Sequence, residues 1–232
     1  MADATFPGFL NILAAAGGLG TASMGLVDAS KAFAGGPSNF GFRNIKNTLQ
    51  PFLDPLALGA TPSAQADILQ TLKANWVNGV PKADQKAKAK SLIHLGLTQG
   101  SAPALAAAAG VDAHKLESLA KKTAAGKPVT QEELNVLGQF DAVLSAVLDA
   151  AYERGDQQYR NGSKFMAMAV STILGVVAGW IVFRNDPGGY WWTGNFALSF
   201  VIGISATPLA PVAKDLASSL QAAVSAVGLV KR

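Results

Sequence analysis

Two uncharged stretches between Lys164 and Lys214 constrain the fold of this chain more than any other feature. Phe165 to Phe183 is 19 residues without a charge. A helix of that length, at about 1.5 Å per residue, reaches roughly 28 Å, the hydrocarbon thickness of a bilayer. Lys164 and Arg184 bracket it with stems long enough to lift their charges to the interface, and Trp180 lies near the Arg184 end, where an indole prefers to sit. Asp186, Pro187, Gly188 and Gly189 are turn chemistry, and so short a connection forces an antiparallel return. Tyr190 to Ala213 is a second uncharged stretch, opened by Tyr190, Trp191 and Trp192 as an aromatic girdle and closed by Lys214. The expectation is a transmembrane hairpin over 164–213.

Pro208 and Pro211 remove backbone donors near the end of the second span, so a bend or stop is expected before Lys214. Beyond it, Leu216, Leu220, Ala223, Val224 and Val227 recur at helical spacing, which predicts an amphipathic tail helix over 214–232. It lies on the membrane surface or a partner, or else continues the second span into solvent.

Phe6 to Val27 is also free of charge, but rich in glycine and alanine. The first basic residue, Lys31, follows the apolar stretch, which disfavours a cleaved secretory signal. The reading is an N-terminal transmembrane helix within 1–29. Ala14, Gly18 and Ala22 recur every four residues, as do Gly17, Thr21 and Gly25, so such a helix presents small residues on two faces and admits close neighbours. Those neighbours are either the hairpin of the same chain or other subunits.

Of the 19 basic residues, 15 lie between Lys31 and Lys164 and three from Lys214 onward, leaving Arg184 alone between the hairpin arms. The positive-inside rule then places 30–163 and the C-terminus in the cytoplasm, with the N-terminus and the hairpin turn outside. A two-span alternative keeps the first segment as a buried or surface helix. The overall composition agrees with membrane residence: 50% hydrophobic and only 15% charged residues. A net charge of +4 is too small to indicate a nucleic-acid binder. The absence of cysteine excludes thiolate chemistry and disulfides. His94 and His114 lack helical metal-pair spacing, so no metal, cofactor or catalytic residue is expected.

The middle region, 30–163, reads as a small helical cytoplasmic domain without alternating strand patterns. "AGGPSNFGF" reads as a loop. "TPSAQADILQTLKANWVNG" is a helix starting at Pro62 or Ser63 and stopping at Gly79, and "PKADQKAKAKSLIHLGLTQG" is another. Asp112 is an N-cap for a helix with Leu116, Leu119 and Ala120 on its apolar edge and Gly126 as terminator. Thr130 and Glu133 match a capping box, opening a helix whose apolar side is Leu134, Leu137, Leu144, Val147, Leu148 and Ala151. A break is expected at Gly155, or at Asn161 and Gly162. Lys82, Lys86 and Lys90 share one helical face, which is either solvated or a contact for anionic lipid. Glu132, Glu133, Asp141, Asp149, Glu153 and Asp156 fall on the wet side of their helix in this reading, and His94 is a partly buried, satisfied histidine.

The linker "VLDAAYERGDQQYRNGSKFMAMAVSTILGVVAGW", the ending "GISATPLAPVAKDLASSL" and the segment "LVDASKAF" resemble a group of uncharacterised bacterial inner-membrane proteins with three spans. The resemblance implies that topology and a bacterial membrane, and carries over no site residue. The fold class expected is therefore an all-α integral membrane protein with three spans, a helical insert after the first, and a tail helix. The leading function is a non-enzymatic scaffold or accessory subunit that assembles laterally, as a homo-oligomer or within a larger complex, with the lipid bilayer as its other partner. The alternative is an oligomeric channel or transporter component, with Asn11, Asn195, Ser199 and Thr207 as polar groups inside the spans. A membrane-bound enzyme centred on His94 is the third class.

Overall fold

The computed structural model describes residues 6–33, 35–59, 62–185 and 188–230. Among them every regular element is helical: α1 (Phe6–Ala29), a 3-10 turn (Ser30–Ala32), α2 (Ser38–Gly59), α3 (Pro62–Val77), α4 (Lys82–Leu95), α5 (Ala102–Ala109), α6 (Ala113–Ala124), α7 (Gln131–Phe183) and α8 (Gly194–Val230). The chain divides into two compact units, Met1–Pro37 with Arg160–Arg232, and Ser38–Tyr159. Three helices are long and apolar enough to cross a membrane, with candidate spans in Ile12–Ala32, Gln131–Phe183 and Gly194–Val212.

The Ser38–Tyr159 unit is organised around α2, a helix the sequence reading passes over. Phe42, Ile45, Leu49, Phe52, Leu53 and Leu56 form an apolar stripe at helical spacing, and all are buried. Pro51 and Pro55 lie inside α2. They are four positions apart, so their missing donors fall on neighbouring turns of one side and the apolar stripe is kept. The expected loop is accordingly shorter: Ser38 to Phe42 already belong to the helix. The Trp76 indole on α3 donates to the Ser38 carbonyl at 2.9 Å and ties the start of α2 to the end of α3.

The expected helix signals hold at α3, α4 and α6. Gly79 adopts φ +68 after α3, and the Asp112 carboxylate accepts the Lys115 N–H at 3.0 Å to cap α6. Leu116, Leu119 and Ala120 are buried as predicted. On α7 the predicted face is displaced. Leu144, Leu148 and Ala151 are buried together with Val136, Phe140 and Tyr152, whereas Leu134 is 47% exposed. The helical backbone also continues through Gly155, Asn161 and Gly162, where a break was expected. Gly155 serves close approach instead: a Cβ there would stand 2.8 Å from Ile45 and 3.1 Å from the Gly41 carbonyl oxygen.

The start of α7 carries the predicted capping box, with a difference in burial. The Thr130 N–H donates to Glu133 Oε2 at 2.8 Å and the Glu133 N–H to Thr130 Oγ1 at 3.4 Å. Glu133 was expected on a solvated face, yet it is 5% exposed, because Lys122 Nζ reaches it at 2.8 Å and Ser118 Oγ at 2.6 Å from α6. These contacts, Lys122 first, then Ser118 and the Thr130 N–H, hold its carboxyl down at about 2 against an ordinary 4.5. A depressed carboxyl contributes stability that is fully present above its unfolded value and lost as pH falls toward the folded one. Thermal melts of the chain should therefore lose stability between about pH 4.5 and about 2, and Glu133→Gln should flatten that limb while lowering stability at neutral pH.

Candidate functional site

Two sites are prominent, one in each unit. In the Ser38–Tyr159 unit, α4 places Lys82, Lys86, Lys90 and His94 four residues apart, one per turn, on a face that meets α7. Lys82 Nζ lies 3.1 Å from Asp156 and 3.6 Å from Glu153; Lys86 pairs with Asp149; Lys90 Nζ lies 3.3 Å from Asp141. His94 Nε2 abuts Asp141 Oδ1 outside hydrogen-bond geometry, and its ring stands edge-on to Phe140 at 5.8 Å. The partners descend α7 as the lysines ascend α4, so the arrangement is an antiparallel ladder of charge pairs. The lysine face pairs with carboxylates of α7; Asp149 and Glu153 stay on the solvated side expected for them, while Asp141 and Asp156 are half-buried at the helix contact. The neighbouring Lys90, Ser91, His94 and Leu95 line an open depression on α4 with no enclosing wall among the described residues.

In the membrane unit the small residues of three helices meet. On α7, Ala167, Ser171, Gly175 and Gly179 are spaced by four and buried. They face Ser199, Gly203 and Thr207 on α8, also spaced by four. A Cβ on Gly203 would stand 2.7 Å from the Thr172 Cα and 2.9 Å from the Ser171 carbonyl oxygen; one on Gly175 would stand 3.0 Å from the Gly203 Cα. Only glycine allows this approach. Ser171 Oγ donates to the Gly203 carbonyl at 2.7 Å, which leaves it to accept from Thr207 Oγ1 at 3.1 Å. Neither four-residue repeat was singled out in the sequence, although the spacing was visible there.

A neighbouring strip of the same face of α8 receives α1. Ala16, Gly20, Ser23 and Val27 form the buried side of α1, with Gly20 against the Ala206 carbonyl and Ala210 Cβ. Of the six packing residues read from the sequence, Gly17 is buried, whereas Ala14, Gly18, Thr21, Ala22 and Gly25 are exposed. Thr21 Oγ1 returns to the Gly17 carbonyl at 2.9 Å. Nothing lies within 4 Å of a Cβ built on Gly18 or Gly25. The composition of α1 offers several smooth faces, and α8 uses the one that admits its own Ala206 and Ala210.

The interface residues divide as well. Lys164, Trp180, Arg184, Trp191 and Trp192 are exposed, Trp192 to 98%. Tyr190 differs from them in burial: it is 2% exposed, its hydroxyl donating to the Val176 carbonyl at 3.0 Å and its ring packing on Phe196 at 5.8 Å. The aromatic triplet is therefore a turn ahead of α8, closed by Thr193 Oγ1 donating to the Tyr190 carbonyl at 2.8 Å. Pro208 and Pro211 sit inside α8 without ending it. The turn residues Asp186 and Pro187 and the terminal Lys231 and Arg232 lie outside the described residues. The same is true of the side chains of Asn11, Lys214 and the predicted apolar face of the tail. Ser199 and Thr207, two of the groups considered for a pore, are buried in the helix seam, Ser199 Oγ donating to the Asn195 carbonyl at 2.8 Å.

Two outcomes are expected. In the naturally cysteine-free chain, Ser171→Cys with Thr207→Cys should form an intramolecular disulfide under mild oxidant, and adding Gly203→Leu should abolish it on a gel. Replacing Lys82, Lys86 and Lys90 together by Gln should destabilise the Ser38–Tyr159 unit by about 1–3 kcal/mol at low ionic strength, with the loss shrinking in 1 M salt as screening increases, and without change in binding to anionic vesicles. No family model, curated protein or solved structure matches the chain, so the chemistry of these sites rests on their own geometry.

Proposed function

We propose that this chain is a membrane scaffold or accessory subunit, without catalytic chemistry of its own, that assembles laterally into a homo-oligomer or a larger membrane complex. The observation that carries the reading is the two-sidedness of α1. One smooth side is consumed by α8, while a second, Ala14, Gly18, Ala22 and Gly25, is exposed and lacks any neighbouring atom where Gly18 and Gly25 could touch one. Lipid tails gain little from a groove of missing side chains, whereas a second helix gains close van der Waals contact along it. The reading places the protein in a bacterial inner membrane, with 30–163 and the C-terminus cytoplasmic and the N-terminal end of α1 outside. It follows the basic residues and the resemblance carried by the linker and the last span.

The mass of the complex extracted in mild detergent tests the proposal. A multiple of the chain mass, or a fixed set of other proteins, is expected for the natural sequence. Gly18→Leu combined with Ala22→Leu should reduce the particle to the single chain, while the Ser171→Cys/Thr207→Cys disulfide still forms and reports an intact hairpin. An unchanged particle mass in that variant sinks the assembly role of this face.

A further inference from the structure

Among the described residues, three buried polar atoms on α3, α4 and α7 have no hydrogen-bond partner: Asn75 Nδ2, Gln85 Oε1 and Tyr152 OH. Gln85 and Tyr152 are 2% and 1% exposed. The charge ladder fixes their register. Lys82 faces Asp156 and Lys86 faces Asp149, so Gln85, on the inner side of the same turn of α4, faces the stretch of α7 that holds Tyr152. Asn75 is linked to the start of α4 through the backbone. Its carbonyl accepts the Val80 N–H at 3.1 Å, the Val80 carbonyl accepts Gln85 Nε2, and the adjacent Trp76 ring lies 6.1 Å from the Tyr152 ring.

Their chemistry is complementary. Asn75 Nδ2 is a donor, Gln85 Oε1 an acceptor, and a phenol is both. Three unpaired buried groups would each carry the desolvation penalty of an unmade hydrogen bond. We propose that Asn75, Gln85 and Tyr152 form the binding site of a single internal water, which accepts from Asn75 Nδ2, donates to Gln85 Oε1 and completes its shell with the Tyr152 hydroxyl. One molecule with three polar partners is the usual coordination of a buried structural water. It joins α3, α4 and α7 at the end of the ladder where Lys82 pairs with Asp156, and so holds the turn between Val77 and Lys82 against the body of the unit. Burial pushes the Tyr152 hydroxyl up to about 12, so it stays protonated and able to donate across the physiological range.

The test uses the full chain in detergent micelles, in two measurements. With selectively labelled asparagine, the side-chain amide of Asn75 should show cross-relaxation to a long-lived water. Tyr152→Phe, which keeps the ring in the core, should lower the melting midpoint of the unit by about 2–4 °C, because the water loses a partner. An Asn75 amide that sees Gln85 or Tyr152 protons and no water overturns the site in favour of direct pairing. A midpoint that stays the same or rises in Tyr152→Phe overturns it too, since deleting a hydroxyl that bonds nothing removes a penalty.

Discussion

The approach of α8 to its two neighbours is the constraint on which the membrane unit depends. In hydrocarbon no hydrophobic effect draws helices together, so they associate through contact area and the few hydrogen bonds available. α8 supplies both from neighbouring strips of one face. Gly203 lets it reach the backbone of α7 at Thr172 and Ser171, and Ala206 with Ala210 receives Gly20 of α1. The Ser171 hydroxyl becomes useful only because this distance is short: it reaches the Gly203 carbonyl and the Thr207 hydroxyl together. A side chain at Gly203 would remove the packing and the polar contact at once.

The Ser38–Tyr159 unit is held by a different balance. Its core is the apolar stripe of α2 against Leu105, Leu116, Phe140, Leu144 and Leu148 from the later helices. α4 contributes little apolar surface to it, chiefly Ala89 and Ile93, and meets α7 through charges. Each exposed pair in the ladder is worth little alone. Its contribution is register, since a shift of one turn would leave a lysine at one end of the ladder and a carboxylate at the other without a partner. Glu133 is the exception in burial, enclosed by Lys122, Ser118 and the Thr130 N–H.

Helix ends were the most legible level of this fold, because caps are local chemistry. Asp112 and the Thr130–Glu133 box act where their spacing says they should. Helix faces were less legible. The stripe of α2 has clear helical spacing, but Pro51 and Pro55 inside it are signals against a helix and masked it. Gly155 was read as a break when its missing side chain makes room for Ile45 and Gly41 on another helix. Tyr190 was read as an interface anchor from its place beside Trp191 and Trp192, yet its hydroxyl turns inward to the Val176 carbonyl. Each of these outcomes depends on a neighbour remote in the chain.

The sequence by itself determined the three apolar segments, their flanking charges and the helical character of the region between them. These follow from length, periodicity and the cost of burying charge, all properties of a segment and its solvent. The tertiary structure decided which small residues touch: Ala16, Gly20 and Ser23 rather than Ala14, Gly18 and Ala22 on α1, and Ser171 with Thr207 across the hairpin. It also decided that the lysines of α4 answer the carboxylates of α7. A run of glycine and alanine makes several faces equally smooth, and a run of lysine leaves its counter-charge open. Only the backbone brought alongside breaks that degeneracy, because steric fit and ion pairing act over a few ångströms.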